Sequence, residues 1–477
     1  MPAQLLQDLP PGRHDISIAL VAGGRRALLR LSAGPEVSLP AVWGGLRVYV
    51  TSAGNISLHR ERPVPPQPSL PTFSVDARTV PEDLALLTTD LRSRLSERRA
   101  LGACDLTYSF PREDSLRFDA LFPGIEASVL IVRTPSCWTV SVFGRDPMTE
   151  RFLRNVLVNR ARMSAVCMMQ MHLLEEIDRS VATSAVSVRV VEVLVNLLDR
   201  FRLFLDAGDR PQDHGLVPAS WWDVKPNFGD VLGPMLIESL AGRPAINVRA
   251  FPSQDPGLFT VGSTIGHLQR PGSRIWGSGL IGPPSGNKLA ALAARRPRSV
   301  HAVRGVRTGE FLRDHLGWEV PEVYGDPALL LPRYYQPRPA PATEGKIAII
   351  PHYMHTRVLP ADLPDDVAVI DVRQGPEVVI DQIVAARACV SSSLHGLVIA
   401  QAWQIPWVWL RVGDVELRGD RFKFEDFYTV LDADEVQTVD VTTAALAKQD
   451  WSAAARRARV PRSDFDADAL VSAFPGA

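Results

Sequence analysis

The chain has 477 residues, of which 46% are hydrophobic and 22% are charged. This length exceeds what one hydrophobic core usually serves, so we expect several domains, and the apolar content excludes a wholly disordered chain. The 52 Lys and Arg residues balance the 53 Asp and Glu residues, giving a net charge of -1. A general nucleic-acid binder needs a basic excess, so that class is excluded, whereas a local cationic pocket for a small anion is not.

The cysteine pattern and the N-terminus indicate a cytoplasmic protein. No C-x-x-C pair occurs among the four widely spaced cysteines, Cys104, Cys137, Cys167 and Cys389. Reduced thiols are therefore expected. The N-terminus lacks the basic-then-apolar layout of a signal peptide. The longest apolar stretch, 385–410, contains Arg387 and His395 and is typical of buried core, so we expect peripheral membrane association at most.

The first part of the chain is rich in β-prone runs. Short runs between residues 16 and 60 precede a proline-rich stretch at 62–82, and two further runs follow at 127–133 and 138–143. We interpret residues 1–146 as a β-rich or α+β N-terminal domain. From residue 147, apolar residues recur at three- and four-residue spacing, which predicts a helical connector over 147–215.

The second half alternates short apolar runs with helical stretches and glycine turns. This pattern predicts parallel sheets with crossover helices, and hence an α/β fold. The proline-rich segment 332–343 divides the half into two Rossmann-like lobes, 216–335 and 336–477, the latter ending in a helix. Ligands of such folds bind at the carboxyl ends of the strands, so we expect a site between the lobes.

Two glycine motifs lie in the predicted first lobe. Asn227 and Gly229 precede Asp230 at a predicted helix start, where free N–H groups suit anions and the carboxylate could act as a base. Ser278 and Gly279 lie in a G-x-G-x-x-G match, but prolines follow at once and no acidic residue occurs at the ribose position. A glycine turn near a ligand is therefore favoured over dinucleotide binding.

Charged residues cluster where the predicted strands end. Arg304 and Arg307 flank a helix start and could form an anion site. His352 follows an apolar run, and its neighbour His355 has no third ligand at useful spacing, so no metal site is predicted. Asp326, in a Gly-Asp-Pro turn, is interpreted as a turn between lobes.

The segment 391–397 carries the clearest candidate for chemistry. Ser392, Ser393 and Leu394 precede His395 at a strand-to-helix junction, where α/β folds place reactive groups. No G-x-S-x-G elbow is present, which disfavours a hydrolase triad. Lys423 lies in an aromatic run and could close the cleft from the C-terminal lobe.

Taken in order, these motifs resemble the polysaccharide pyruvyl transferase family over residues 221–428. The motifs are NFGD, WGSG, VRG with a following Thr, YGDPALLLP, IIPHY, SSSLHGLVIAQAWQIPW and KFEDFY. The resemblance implies two Rossmann-like lobes arranged as in B-type glycosyltransferases, with phosphoenolpyruvate as donor substrate and no cofactor. It also implies transfer of the pyruvyl group to sugar hydroxyls of a surface polysaccharide or its precursor, commonly as a ketal.

The resemblance also implies roles for particular residues. His395 matches the family's catalytic histidine, and Asp230 matches the acid of the N-x-G-D turn. Many relatives carry Arg two residues before the histidine, where this chain has Ser393, so Arg304 and Lys423 are expected to supply the donor-binding charge. His395 would protonate the enol carbon as a general acid, with Asp230 as acceptor ligand or base.

Partners and alternatives follow from this resemblance. We expect phosphoenolpyruvate, a free or lipid-linked saccharide acceptor and a homo-oligomer as partners, without nucleic acid. Three alternatives stay open: a B-type glycosyltransferase that uses a nucleotide sugar, a noncatalytic glycan-binding relative, and transfer to a small glycoside or other hydroxyl compound. We recognise no family resemblance in the N-terminal 215 residues, which could determine the choice of acceptor.

Overall fold

The computed structural model divides the chain into two compact units, Met1–Thr72 and Phe73–Ala477. The strands before residue 61, and the strand at 161–163, are described by their backbone alone. The described residues are 14–22, 25–33, 41–43, 46–50, 56–60, 80–97, 107–119, 122, 125–157, 161–163, 170–251, 253–417 and 419–476. Most of the proline-rich stretch at 62–82 lies outside them.

Strands and helices alternate regularly only in the second half of the chain. The strands are β1 His14–Ala22, β2 Arg25–Ala33, β3 Ala41–Trp43, β4 Leu46–Val50, β5 Ile56–Arg60, β6 Thr107–Arg112, β7 Ser115–Asp119, β8 Ala127–Arg133, β9 Cys137–Gly144, β10 Ala161–Met163, β11 Gln170–Asp178, β12 Val217–Ser220, β13 Ala245–Asn247, β14 Leu258–Phe259, β15 Arg274–Trp276, β16 Ser299–Ala302, β17 Ile347–Ile350, β18 Val367–Val369, β19 Ala388–Ser391, β20 Trp407–Val412 and β21 Thr438–Val441. The helices are α1 Glu82–Glu97, α2 Pro147–Val156, α3 Thr183–Asp206, α4 Phe228–Ala241, α5 Gly286–Ala293, α6 Val306–Leu316, α7 Pro376–Ala385, α8 Leu394–Ala402, α9 Asp420–Tyr428, α10 Thr443–Leu446, α11 Trp451–Arg457 and α12 Ala467–Ser472. Among the described helices, none combines the length and the apolarity needed to cross a bilayer.

The first unit contains antiparallel strands. β1 pairs with β2, and β3, β4 and β5 form a separate three-stranded sheet. The β-prone runs of residues 16–60 are therefore strands, because β-branched and apolar residues favour extended backbone there.

A six-stranded antiparallel sheet opens the second unit. Its strand order is β10-β11-β9-β8-β7-β6. Trp138 of this sheet and Phe201 of α3 are 1% exposed in one apolar core. Burial of such side chains contributes roughly 1.5–3 kcal/mol each.

The prediction of a helical connector over 147–215 was wrong in part, because two strands of this sheet lie within that span. α2 and α3 are helical, but β10 and β11 lie between them and join the sheet of β6–β9. The predicted boundary at residue 146 consequently falls inside one sheet. His172, Leu174 and Ile177 of β11 are buried, with a bulge between Leu173 and Glu175. That bulge breaks the period of two, which is why the spacing resembled a helical pattern.

Two five-stranded parallel sheets complete the fold, so the α/β class is confirmed. Their orders are β13-β12-β14-β15-β16 and β18-β17-β19-β20-β21. In each sheet the first strand in the sequence lies second from one edge, and the next strand along the chain takes that edge. The following strands are added on the other side of the first strand, so the order of the strands reverses there. Such a reversal creates a crevice at the carboxyl ends of the two strands on either side of it. The crevices lie beyond β12 and β14 in one lobe and beyond β17 and β19 in the other.

A buried ion pair ties the two lobes together. Arg304, after β16, contacts the carboxylate of Asp426 in α9 at 2.9 Å, and both side chains are fully buried. Asp426 also accepts hydrogen bonds from the backbone N and side-chain Oγ1 of Thr308, each at 2.7 Å. Gly305 lies so close to Asp426 that an added Cβ would meet its backbone oxygen at 1.9 Å. This network fixes α6 of the first lobe against α9 of the second.

We predict that Arg304→Gln lowers the free energy of unfolding by about 3–5 kcal/mol, because Asp426 would remain buried without its counter-charge. The matched control is Arg307→Gln, which removes an ion pair to Glu425 whose side chains are 47% and 34% exposed. That change should cost no more than about 1 kcal/mol. Urea denaturation measures both, and equal losses in the two variants would contradict the structural role of Arg304.

Candidate active site

The crevices of the two parallel sheets open onto one cavity of about 390 Å³. Trp222, Asn227 and Asp230 follow β12, and Ser263 and Thr264 follow β14. The second lobe contributes the loop after β17, the start of α8 and one face of α9. Seven residues predicted from sequence line this cavity: Asn227, Asp230, His352, Ser393, Leu394, His395 and Lys423.

His395 is positioned by the turn between β19 and α8. The Ser391 side chain accepts a hydrogen bond from the backbone N of Ser393 at 3.0 Å and donates to the Ile350 carbonyl at 3.0 Å. Ser393 is the N-cap of α8, so His395 is the second residue of that helix. Only 8% of His395 is exposed. The ring therefore has a defined place at the cavity wall rather than a mobile position on the surface.

Gly229 belongs to the site because it makes room for this ring. A Cβ added at Gly229 would lie 2.1 Å from Nδ1 of His395. Phe228, the preceding residue, meets the same ring edge-on at 6.4 Å between centroids. The first turn of α4 and the first turn of α8, from different lobes, are thus in direct contact, and a side chain at position 229 would separate them.

Asp326 is the site residue that sequence reasoning missed. Its Oδ2 lies 3.7 Å from Nε2 of His395, and both atoms are buried without a hydrogen-bond partner. Its Oδ1 accepts from the backbone N of Ala328 at 3.0 Å, which caps the short 3-10 helix that begins at Pro327. The Gly-Asp-Pro signal predicted a turn at this position, but the approach of Asp326 to His395 depends on the packing of the two lobes.

Asp230 provides a second titratable group in the cavity. Its Oδ2 accepts from Nδ2 of Asn227 at 2.9 Å. Burial raises the pKa of Asp230 to about 6, although His395, Asn227 and Lys423 oppose the shift. Near neutral pH, Asp230 is mainly a carboxylate that can accept a proton, as a general base requires.

Positive charge in the cavity comes from lysine. Lys423 is 8% exposed and lies 5.4 Å from the ring centroid of Phe424, and Lys225 also lines the cavity. Burial, followed by Lys423 and His355, lowers the pKa of His352 to about 3. His352 is consequently neutral at physiological pH and can serve as a hydrogen-bonding group but not as a general acid.

The structure corrects the expectation that Arg304 and Arg307 bind the donor. Arg304 is fully buried, and its guanidinium binds Asp426, the Leu280 carbonyl and Ser263. It reaches the cavity only through Ser263. Arg307 is paired with Glu425 outside the cavity wall.

Three further predicted residues support the site without lining the cavity. Ser278 is buried and hydrogen-bonds to Gly262 and Thr264. An added Cβ at Gly279 would meet the Arg304 guanidinium at 2.4 Å, so this glycine makes room for that side chain. Ser392 binds the backbone N of His352 at 3.0 Å and the ring of His355 at 2.9 Å.

Within the part of the chain that the structure describes, no group of three or more His, Cys, Asp or Glu side chains is arranged to hold a metal ion. The titratable groups that line the cavity include three imidazoles, two carboxyl groups and two ammonium groups.

The protein is of the α/β class and has two parallel sheets with facing crevices. The cavity between them contains a histidine, a carboxyl group of raised pKa and lysine side chains, which are groups that can bind an anion and transfer protons. Residues 260–414 match the family model described as polysaccharide pyruvyl transferase. The resemblance drawn from the sequence motifs is therefore confirmed for the C-terminal half. This match supports a transferase with polysaccharide pyruvyl transferase activity in general.

The chain is also similar to an uncharacterized protein of Acanthamoeba polyphaga mimivirus. The two are 27% identical over 210 residues, which cover 43% of this chain and 70% of the viral protein.

We predict that Asp230→Asn stabilises the protein more at pH 7.5 than at pH 5. Because the folded-state pKa of Asp230 is about 6, above the usual aspartate value of 3.8, the folded state binds more protons than the unfolded state between these values. Stability therefore falls as pH rises through this range, and the loss persists above it. Asn carries no charge, so the stability of the variant does not fall with pH for this reason.

Melting temperatures of the wild type and the variant at both pH values measure this effect. Asn227→Ala is a useful companion, because it removes the hydrogen bond to Asp230 without removing the carboxyl group. A difference between wild type and Asp230→Asn that does not change with pH would contradict the raised pKa.

Proposed function

We propose that this protein transfers the pyruvyl group of phosphoenolpyruvate to two hydroxyls of a saccharide and forms a ketal. The observation that carries the proposal is the position of His395, in contact with α4 of the other lobe, beside Asp326 and in one cavity with Asp230 and Lys423. An acid, a base and a cation in one crevice are the groups that this reaction requires.

Lys423 and the first turn of α8 are proposed to bind the donor. Phosphoenolpyruvate carries a carboxylate and a phosphate, which ammonium groups and helix N-terminal N–H groups bind. Ser393 and Leu394 line the cavity at that helix start. Lys225 provides a further ammonium group on the opposite wall, so the structure offers lysines where many relatives would use an arginine.

His395 is proposed to protonate C3 of the donor, which converts the methylene into a methyl group and leaves C2 electrophilic. The first sugar hydroxyl then forms a bond to C2 and gives its proton to Asp230. The second hydroxyl attacks the same carbon, the C2–O bond to phosphate breaks, and phosphate leaves with the second hydroxyl proton. Asp230 loses its proton to solvent, and His395 regains one from solvent, so the cycle balances.

Asp326 is proposed to act as a positioning residue for His395. Its Oδ2 lies on the Nε2 side of the ring, where a carboxylate can orient the imidazole. The separation of 3.7 Å is too long for a hydrogen bond, and such contacts often tighten only when substrate is bound.

The direct test is incubation of the full chain with phosphoenolpyruvate and a panel of saccharides in deuterated water. Phosphate release and NMR of the product are the readouts. We expect a ketal whose methyl group carries one solvent deuterium, because the third hydrogen comes from His395. Failure to consume phosphoenolpyruvate with any acceptor, or sugar transfer from a nucleotide sugar instead, would overturn the proposal.

Variants separate binding from chemistry. His395→Ala should lower kcat by about 10²- to 10⁴-fold, with little change in the affinity for phosphoenolpyruvate, because it removes a general acid. Lys423→Gln should instead weaken donor binding by about 10- to 100-fold, the loss expected for a hydrogen bond to a charged group. The assignment of His395 fails if turnover is retained in His395→Ala, or if turnover and donor affinity fall equally.

Asp326→Asn should lower kcat at least tenfold, equivalent to about 1.4 kcal/mol in the barrier, and leave the KM for phosphoenolpyruvate nearly unchanged. It should also shift the pH profile of kcat, which a purely structural effect would not do. Asp326→Glu, which keeps the carboxylate, should recover part of the rate. An unchanged pH profile in Asp326→Asn would contradict the positioning role.

A further inference from the structure

A second, smaller cavity lies where the six-stranded sheet region meets the two lobes. Its space is about 30 Å³, enough for at least about two water-sized groups. Arg154 of α2 and His172 of β11 form one side. Trp222, Lys225 and Asn227 form the other and also line the main cavity, so the two spaces share a wall.

Several buried polar atoms at this small cavity have no hydrogen-bond partner. They include Nε and Nη1 of Arg154, Nδ1 of His172 and Oδ1 of Asp223. The carboxylate of Glu150 lies 3.9 Å from Nε of Arg154, beyond hydrogen-bond range, and binds Nε2 of His172 at 3.1 Å. Leaving such groups unsatisfied costs about 1–3 kcal/mol each, so a ligand that pairs with them gains this free energy.

The local charge favours an anion. Asp223 is already engaged by Arg151 at 2.6 Å and by Asn155 at 3.2 Å. Burial lowers the pKa of Arg154 more than Glu150 and Asp223 raise it. The guanidinium therefore lacks full compensation by neighbouring carboxylates, and Lys225 adds positive charge on the shared wall.

The arrangement of donors and acceptor also favours a hydroxy acid over a simple anion. Arg154 has unused N–H donors at Nε and Nη1, which can bind the oxygen atoms of an anion. Nδ1 of His172 is a further unused hydrogen-bonding atom, because Glu150 already holds Nε2. Oδ1 of Asp223 is an acceptor, which a carboxylate cannot satisfy but an adjacent hydroxyl group can.

We propose that this small cavity binds the carboxylate and a neighbouring hydroxyl of an acidic sugar in the acceptor. The hydroxyls that receive the pyruvyl group would then lie in the main cavity, beyond Trp222 and Asn227. This inference rests on the proposed function, and it gives the region around α2 and β11 a role in selecting the acceptor.

The test is the melting temperature of the full chain with glucuronate, with neutral glucose and with glucose 1-phosphate, each measured beside phosphoenolpyruvate. A ligand that binds the folded state raises the melting temperature by mass action. We expect a shift with glucuronate and little or none with glucose or glucose 1-phosphate. Arg154→Gln should lose the glucuronate shift and keep the phosphoenolpyruvate shift, whereas Lys423→Gln should do the reverse.

The matched control is Arg200→Gln, which removes a partly buried ion pair to Glu238 at 2.6 Å outside the cavity wall. It should keep both shifts. If Arg154→Gln does not fold, Arg154→Lys keeps the charge but removes the Nε and Nη1 donors, and it should show a reduced glucuronate shift.

The outcomes distinguish this inference from the proposed function. A phosphoenolpyruvate shift without a glucuronate shift, equal shifts with glucuronate and glucose, or a shift with glucose 1-phosphate alone would overturn the acidic-sugar site. A glucuronate shift that survives in Arg154→Gln would also overturn it. Absence of any phosphoenolpyruvate shift in the wild type would count against the proposed function and leave the glucuronate result to stand by itself.

Discussion

The candidate site depends on the direct contact between the first turns of two helices from different lobes. Gly229 at the start of α4 lies against the ring of His395 at the start of α8, and no side chain could fit between them. The buried pair of Arg304 and Asp426 also joins the two lobes. His395 of the second lobe therefore lies in a cavity whose other wall is formed by the first lobe.

The close packing of the two lobes also explains the shifted pKa values of groups in the cavity. Removing water from around Asp230 raises its pKa, while the same burial lowers the pKa of His352. Burial therefore disfavours charge on both groups, and at neutral pH His352 is neutral whereas Asp230 can still exchange a proton. Asp326 and His395 face one another with buried hydrogen-bonding atoms that have no partner, which is a costly arrangement.

Residues whose role follows from the local chain were predictable from sequence, and those whose role follows from packing were not. The strand-to-helix turns that carry Asp230 and His395 have short-range glycine and serine signals, and both residues line the cavity. Arg304 has the same signals, yet it pairs with Asp426, which lies 122 positions away in the sequence. The strand β11 was missed because a bulge disrupts its alternation, and β10 because three residues are too few to show a pattern. Asp326 was missed because its approach to His395 requires the assembled lobes.

Equilibrium binding measured by calorimetry is the most direct test of the central claim, that this cavity binds phosphoenolpyruvate through Lys423. The titrants are phosphoenolpyruvate and, separately, UDP- and GDP-sugars. The account predicts a single saturable site for phosphoenolpyruvate that is weakened in Lys423→Gln and preserved in Arg307→Gln, with no binding of the nucleotide sugars. Binding of a nucleotide sugar without phosphoenolpyruvate would contradict it and indicate glycosyl transfer.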